Sequence, residues 1–423
     1  MKVMLAILLF TVSVFAQDVK KAKDSPYSFT PSFSVDMINK KSAAPEITNV
    51  DIYIQVPYTN LQFIKEGDSY LARYSGTITF YDEDKDNIIK ETTWNKKLTV
   101  NSFNQASSRT NFNIELKSFE LKPDDYILRI ALYDEDSKKD FVLEHPVNIL
   151  SFNEDVAISD IILIKEKIKT AEGTSLVPNI SRYITSDLTE LAFFFELYSD
   201  TNRTVQLEYS LSNKENESKI TIIDTVEIGK GTNTLNYNFS NTNLSLGEYS
   251  IITKVLDLDG TELTSIGKRV FSQIYGFPAS INNLDEAIEQ MIYMANTDVV
   301  DELLDIEKYQ DRLEGFIAFW KKKDPSKNTL ENEILIEYYG RVAYANQNFK
   351  NFRKGWRSDM GMIFITLGPP NHIERHPFDS NSKPYEIWQY YDMNRQFAFI
   401  DETGFGDYRL INTNYQDWSR YRY

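Results

Sequence analysis

Asp51-Ile52-Tyr53-Ile54-Gln55-Val56 alternates polar and apolar residues without a break. Successive side chains of an extended chain point to opposite faces, so this period of two predicts a half-buried β-strand. The same pattern recurs over Ser75–Tyr81, Phe112–Leu116 and Tyr126–Tyr133. Polar turn clusters separate these runs roughly every ten residues, the spacing of a β-sandwich, predicted here over residues 29–150.

A second region of the same kind follows over residues 151–275. Its strands are expected at Ile161–Lys165, Leu191–Tyr198, Thr204–Leu211, Ile220–Ile228, Thr234–Phe239 and Tyr249–Leu256. Tyr126 follows Leu121-Lys122-Pro123-Asp124-Asp125, and Tyr249 follows Leu244-Ser245-Leu246-Gly247-Glu248. In both regions a Tyr opens a strand after a turn, as late strands of immunoglobulin-like sandwiches do.

The period changes after Gly276-Phe277-Pro278. Asn283 can cap a helix bearing Leu284, Ile288, Met291, Ile292 and Ala295 on one face. Tyr309, Leu313, Phe316, Ile317 and Trp320 mark a second helix, ending at Lys321-Lys322-Lys323, where cations suit the helix C-terminus. Thr329 is expected to open a third, striped by Leu330, Ile334, Tyr338, Val342 and Ala345. Residues 276–350 are therefore a helical region. Beyond it, Glu386–Tyr391 and Gln396–Asp401 read as an antiparallel pair joined near Met393-Asn394, with a third strand at Tyr408–Asn412. Met362–Leu367 is apolar throughout, and both strand and helix remain open for it. The expected fold class is mainly β with an α+β C-terminal part: two tandem immunoglobulin-like β-sandwiches, a helical connector and a small α+β domain.

Met1-Lys2 followed by an apolar run to Phe15 and by Val14-Phe15-Ala16 predicts a signal peptide over residues 1–16, cleaved before Gln17. The run falls short of the ~20 residues that span a bilayer, so no transmembrane segment is expected after cleavage. Residues 17–28 are polar and read as a flexible leader. The chain has no cysteine, which excludes a lipid anchor at the cleavage site and any disulfide. A chain of 423 residues can build its cores without them. The net charge of −16 argues against nucleic acid, whose phosphates demand Lys and Arg, and against adsorption to anionic lipid.

The tail has its own punctuation. Gly355-Trp356-Arg357-Ser358-Asp359 precedes Gly368-Pro369-Pro370, then Tyr385-Glu386-Ile387-Trp388, then Phe399-Ile400-Asp401 with Gly404. Upstream lie Phe319-Trp320, Asp324-Pro325, Asn332-Glu333, Glu337-Tyr338-Tyr339, Arg341-Val342 and Tyr344-Ala345-Asn346. These residues, from about Phe319 to Leu410, resemble the GWxTD domain, a family of exported bacterial proteins, with its core at residues 351–423. Ser358 replaces the Thr of the family name and keeps a hydroxyl; Asn371 stands where an Asp is expected and loses a charge. The resemblance implies a module and a location, in the periplasm or at the outer membrane, rather than a reaction. Partners implied are envelope proteins.

Each tail residue also has a structural use. Ser358 or Asp359 can cap a helix, Gly361 and Gly368 permit backbone geometries a side chain forbids, and Pro369-Pro370 fixes an extended exit. Trp356 and Trp388 are expected to fill the space between the helices and the small sheet. If the motif surface binds a partner, Trp356, Ser358, Asp359, Trp388, Asp401 and Asp407 are its candidates.

One reactive alternative stands beside this. His372, Glu374 and His376 alternate, so on a strand they would share a face and offer a divalent metal two imidazoles and a carboxylate. In a loop they would only cap the preceding turn. The zinc-protease spacing is not met, because Glu374 lies two residues after His372 rather than one. Asp82-Glu83-Asp84-Lys85-Asp86 lacks the glycine and the distal glutamate of a calcium loop. No nucleophile with its base and no phosphate-binding loop occurs. The leading expectation is an exported, non-enzymatic scaffold without cofactor. Its rival is a metal-assisted hydrolase or polysaccharide-active protein using His372, Glu374 and His376, with glycan binding on exposed aromatics as a third reading.

Overall fold

The computed structural model describes residues 33–411 except 109–110, 171–172, 186–189, 214–218, 241–243, 275–276, 279, 327–331 and 378–381. The expected signal peptide and leader lie outside the described residues.

The chain is mainly β with a helical C-terminal part. The first region comprises β1 (Ser34–Lys41), β2 (Thr48–Pro57), β3 (Ile64–Glu66), β4 (Ser69–Tyr81), β5 (Ile88–Val100), a short helix α1 (Phe103–Ala106), β6 (Phe112–Leu121), β7 (Asp125–Asp134) and β8 (Lys139–Asn148). Two sheets result, one ordered β1-β2-β6 and one ordered β3-β4-β7-β8 with β5 also paired to β4. Val50, Ile52 and Ile54 from the first meet Tyr74, Ile78, Phe80, Leu128 and Ile130 from the second in one core. The alternation read at Asp51–Val56 is the inward face of β2.

The second region contains β9 (Val156–Ile158), β10 (Ile162–Thr170), β11 (Gly173–Pro178), β12 (Tyr183–Thr185), β13 (Glu190–Ser199), β14 (Arg203–Asn213), β15 (Lys219–Ile228), β16 (Gly231–Ser240), β17 (Gly247–Leu256) and β18 (Glu262–Gln273). One sheet runs β11-β10-β13-β16 with β9 on β13; the other runs β12-β18-β17-β14-β15. Phe193, Phe195 and Leu197 of one face Val205, Leu207, Tyr209 and Ile251 of the other in a shared core. The paired tyrosines do the same work in both regions. Tyr126 donates to the carbonyl of Lys122 (3.1 Å), and Tyr249 donates to that of Ser245 (3.2 Å).

A polar joint ties the two regions together. Lys268 on β18 donates to both carboxylate oxygens of Asp36 on β1, each at 2.7 Å, and both side chains are buried. Beside them, Asp160 accepts from the backbone and side-chain amides of Asn39 at 2.7 and 2.8 Å. Burial raises the pKa of both Asp36 and Asp160, against the opposing pull of Lys268. The hydroxyl of Tyr198 accepts from the amide of Lys41 (3.0 Å), and its ring meets Phe152 edge-on.

The helices are α2 (Leu284–Gln290), α3 (Thr297–Leu304), α4 (Tyr309–Lys323), α5 (Glu333–Asn348) and α6 (Asp359–Leu367). Asn283 caps α2 as expected, accepting from the Glu286 amide at 2.9 Å. That helix stops at Gln290 and a 3-10 turn, Met291–Tyr293, carries the chain on, so the stripe to Ala295 is not one helix. Helix α3 was not expected at all. Thr329 lies outside the described residues; α5 is instead capped by Asn332, whose side chain accepts from the Leu335 amide. Phe316, Trp320, Tyr338, Tyr339 and Val342 pack with α2 into one helical core.

Met362–Leu367 is helical, within α6. Its start is fixed by Ser358 and its end by Gly368, two local signals that its uniform apolarity hides. The last four strands, β19 (His372–His376), β20 (Tyr385–Tyr390), β21 (Arg395–Asp401) and β22 (Tyr408–Leu410), form a sheet in chain order. The hairpin between β20 and β21 turns at Asn394, whose φ of 48° places it in the left-handed region where Asn is tolerated. Helix α6 packs on this sheet through Ile363, Phe364, Trp388 and Phe399. Among the described residues no helix is long and apolar enough to cross a membrane.

Candidate functional site

The pentapeptide is a place where three backbone segments touch. Gly355–Arg357 forms a 3-10 turn between α5 and α6. A β-carbon at Gly355 would lie 1.9 Å from the Ala345 carbonyl oxygen on α5, and one at Gly361 would lie 2.0 Å from that of Gly355. Only hydrogen fits at either position. Ser358 then starts α6, accepting from the Gly361 amide (2.9 Å) and donating to the Gly355 carbonyl (2.7 Å). The choice between Ser358 and Asp359 as cap falls to Ser358. Asp359 reaches the far edge of the sheet and accepts from the Leu410 amide at 2.9 Å.

Trp356 is held along its backbone. Its amide donates to Asn346 (3.0 Å) and its carbonyl accepts from the Tyr293 hydroxyl (2.9 Å). Burial, reinforced by the nearby Asp359 carboxylate, pushes that Tyr293 hydroxyl up to about 12. The indole belongs to the helical core, not to the space above the small sheet, and the Arg357 guanidinium covers it at 4.6 Å. Trp388 does lie between α6 and the sheet, against Phe349, Phe364 and Phe399, with its indole nitrogen on Glu386 at 3.1 Å.

The end of α6 is equally determined. Gly368 takes a φ of 82°, and its carbonyl accepts from the Tyr390 hydroxyl (2.8 Å). Arg341 crosses from α5 to donate to the Ile365 carbonyl (3.1 Å), satisfying an acceptor that the helix leaves free. Asp401, buried at the end of β21, accepts from the amides of Thr403, Gly404 and Gly406 at 3.2, 2.9 and 2.6 Å. Burial pushes its carboxyl up, but these donors and the Thr403 hydroxyl outweigh that and hold it below the usual aspartate value. Asp407 accepts from Asn351 (2.8 Å) and from two nitrogens of Arg409 (2.9 and 2.7 Å). All six candidate binding residues are thus engaged within the fold.

The segment His372-Ile373-Glu374-Arg375-His376 is an edge strand rather than a loop, registered along β20 from His372 opposite Gln389 to His376 opposite Tyr385. Its exposure on both faces left no periodicity to read. Glu374 and His376 do meet, at 2.8 Å, and the imidazole stacks on Tyr385 at 4.3 Å. Among the described residues no three His, Cys, Asp or Glu side chains converge as metal ligands. His372 at the start of the strand does not complete a set.

What the structure adds is a cleft of about 480 Å³ between the end of α5, α6 and the sheet. Tyr344, Phe349, Phe364, Trp388 and Tyr408 supply its aromatic lining, and Pro369-Pro370 closes one side. Asn348, Lys350, Asn351, Ser358, Arg375 and Glu386 are its polar lining, with Arg375 paired to Glu386 at 3.0 Å. Asn351 bonds Asp407, so the loops after α5 and after β21 meet at the mouth. There, Phe352 is 85% exposed and Phe405 76% exposed. Sequence reading missed both. The available signal was an aromatic residue between Lys350-Asn351 and Arg353-Lys354, and another between two glycines.

A match to the GWxTD domain family covers residues 255–418, starting well before the Phe319–Leu410 span of motifs and including β18 and every helix from α2. No curated protein matches the sequence. Among solved structures, red sea bream transglutaminase is similar over 57% of this chain and 31% of its own, at 9% identity and a TM-score of 0.18. A Bacteroides uniformis beta-glucuronidase is similar over 58% of this chain and 32% of its own, at 11% identity and a TM-score of 0.21. The chain thus spans about a third of the length of either, and likeness this low carries no argument about fold or activity. The pentapeptide, its capped helix and the family match agree: the protein is a GWxTD domain-containing protein.

Proposed function

We propose that this protein is an exported, non-enzymatic scaffold of the bacterial cell envelope that engages partner proteins through its GWxTD domain. Two immunoglobulin-like sandwiches, at residues 29–150 and 151–275, serve as arms; residues 276–350 connect them to the core at 351–423. The matching bonds of Tyr126 and Tyr249 to backbone four residues upstream support the immunoglobulin-like reading, since such a corner marks late strands of that fold. The observation that carries the functional reading is the use of the pentapeptide. Its glycine, its serine and its aspartate, with Gly361 just beyond them, are consumed by backbone contact and capping. What remains accessible beside them is an aromatic cleft with protruding phenylalanines, a surface suited to another molecule's side chains.

Photocrosslinking from Phe352 and Phe405 positions in envelope fractions tests this reading. A reproducible protein adduct at either position is expected; uniform absence of protein adducts across both would contradict it. The rival metal-assisted reading makes a different demand, stoichiometric divalent metal that is lost in the His372→Ala/His376→Ala double variant.

A further inference from the structure

We propose that the cleft between α5, α6 and the sheet takes an acidic peptide segment of the partner, with an apolar side chain seated among the aromatics and carboxylates against the rim. This deepens the interaction reading above and rests on it.

Charge is the first argument. The chain as a whole carries −16, yet residues 350–357 contain Lys350, Arg353, Lys354 and Arg357 and no acidic residue. Two of these cations are already neutralised, Lys354 by Glu286 at 2.7 Å and Arg357 by Glu289 at 2.5 Å. Among the described residues Lys350 and Arg353 have no ion-pair partner, and both are exposed. Arg353 is positioned rather than loose, since its amide donates to the Asn351 side chain that also bonds Asp407. A pair of unspent cations on an acidic protein selects for anionic partners and repels basic ones.

Shape is the second. Lys350 lines the cleft, and Phe352 and Phe405 each adjoin a residue that does. A hollow of about 480 Å³ is of the size that accepts a few side chains, and its lining mixes aromatic rings with polar and charged groups. The acidic body of the protein, with a net charge of −16, would be repelled by anionic headgroups. A neutral glycan could stack on the rings but would leave Lys350 and Arg353 without purpose. An acidic segment with an aromatic or aliphatic anchor uses both features at once.

The test is fluorescence anisotropy with the full chain and a short labelled peptide that has a central phenylalanine flanked by glutamates. The same peptide with lysines in place of the glutamates is the comparison. The acidic peptide is expected to bind at least ~10-fold more tightly, and its affinity to fall as salt rises from about 50 to about 300 mM. Lys350→Glu with Arg353→Glu should weaken it ~10-fold or more at unchanged thermal midpoint, and Phe352→Ala with Phe405→Ala should weaken it without altering the salt dependence. Equal binding of both peptides, or no effect of the charge reversal, overturns the proposal. So does binding to anionic vesicles or to a soluble neutral polysaccharide with neither peptide bound. Crosslinked envelope partners that persist undiminished in the charge-reversed variant would sink this assignment while leaving the scaffold reading intact; a native chain that binds neither peptide and yields no crosslinked partner would sink the two together.

Discussion

The two joints of the molecule are built from opposite materials. Between the β-regions, Asp36, Lys268, Asn39 and Asp160 are charged or polar side chains withdrawn from water. Between α5 and α6, Ala345, Gly355 and Gly361 bring backbone against backbone with no side chain intervening. A buried ion pair adds little net stability over an apolar filling, because desolvation offsets attraction, but it punishes any arrangement that leaves one partner alone. A glycine contact involves no such balance and tolerates no substituent. The first joint therefore selects one mutual orientation of the two β-regions, while the second fixes the helix that forms the wall of the cleft.

Substitutions separate these two modes. Gly355→Ala is expected to have the largest effect, about 5 kcal/mol or loss of the C-terminal fold, because the obstructing atom is a backbone carbonyl of α5 that cannot swing away. Urea unfolding followed by tryptophan fluorescence would measure it, Trp356 and Trp388 lying on either side of the contact. Lys268→Ala should cost about 3 kcal/mol by stranding the Asp36 carboxylate, read from the denaturation midpoint of the β-regions. The double variant Asp36→Asn/Lys268→Met should recover most of that loss; if it is no better than the single change, the joint is not an ion pair held by mutual compensation.

Smaller effects sharpen the picture of the tail. Asp401→Asn should lose about 2 kcal/mol at neutral pH, since its donors are aligned for a carboxylate. The sign with pH follows from its depressed folded-state value. The ionised group contributes stability above the unfolded value near ~3.9, and that contribution fades as pH falls through the lower folded value. Denaturation midpoints of the native chain should therefore decline in this acid range more steeply than those of Asp401→Asn. Ser358→Ala should cost about 1 kcal/mol, the ordinary loss of a helix cap, with Ser358→Thr close to the native chain in the same assay.

The sequence carried what local periodicity encodes and little of what distant partners impose. β13 buries every second residue from Leu191 to Leu197, so its alternation was legible, as was the Asn283 cap one residue before α2. The edge strand β19 was not, because exposed side chains lie on both of its faces and its partners on β20 are set by the backbone register. Apolarity alone left α6 undecided; the capping hydroxyl of Ser358 and the left-handed Gly368 set its ends. Gly355 and Gly361 announced unusual backbone, but Ala345 as the obstructing neighbour could not be read from them. Asp36 and Lys268 stand 232 residues apart, and neither has a local pattern that marks a buried pair. The aromatic cleft was hidden for the same reason, its lining being drawn from two helices and three strands.

Amide hydrogen exchange on the Gly361→Ala variant, in parallel with its capacity to form crosslinked adducts, tests the central claim most directly. If the motif shapes the domain, protection should fall across α6, β20 and β22 together, and adduct formation should fall with it. Native protection throughout these elements with adducts abolished would contradict the account, since the motif would then be meeting a ligand itself.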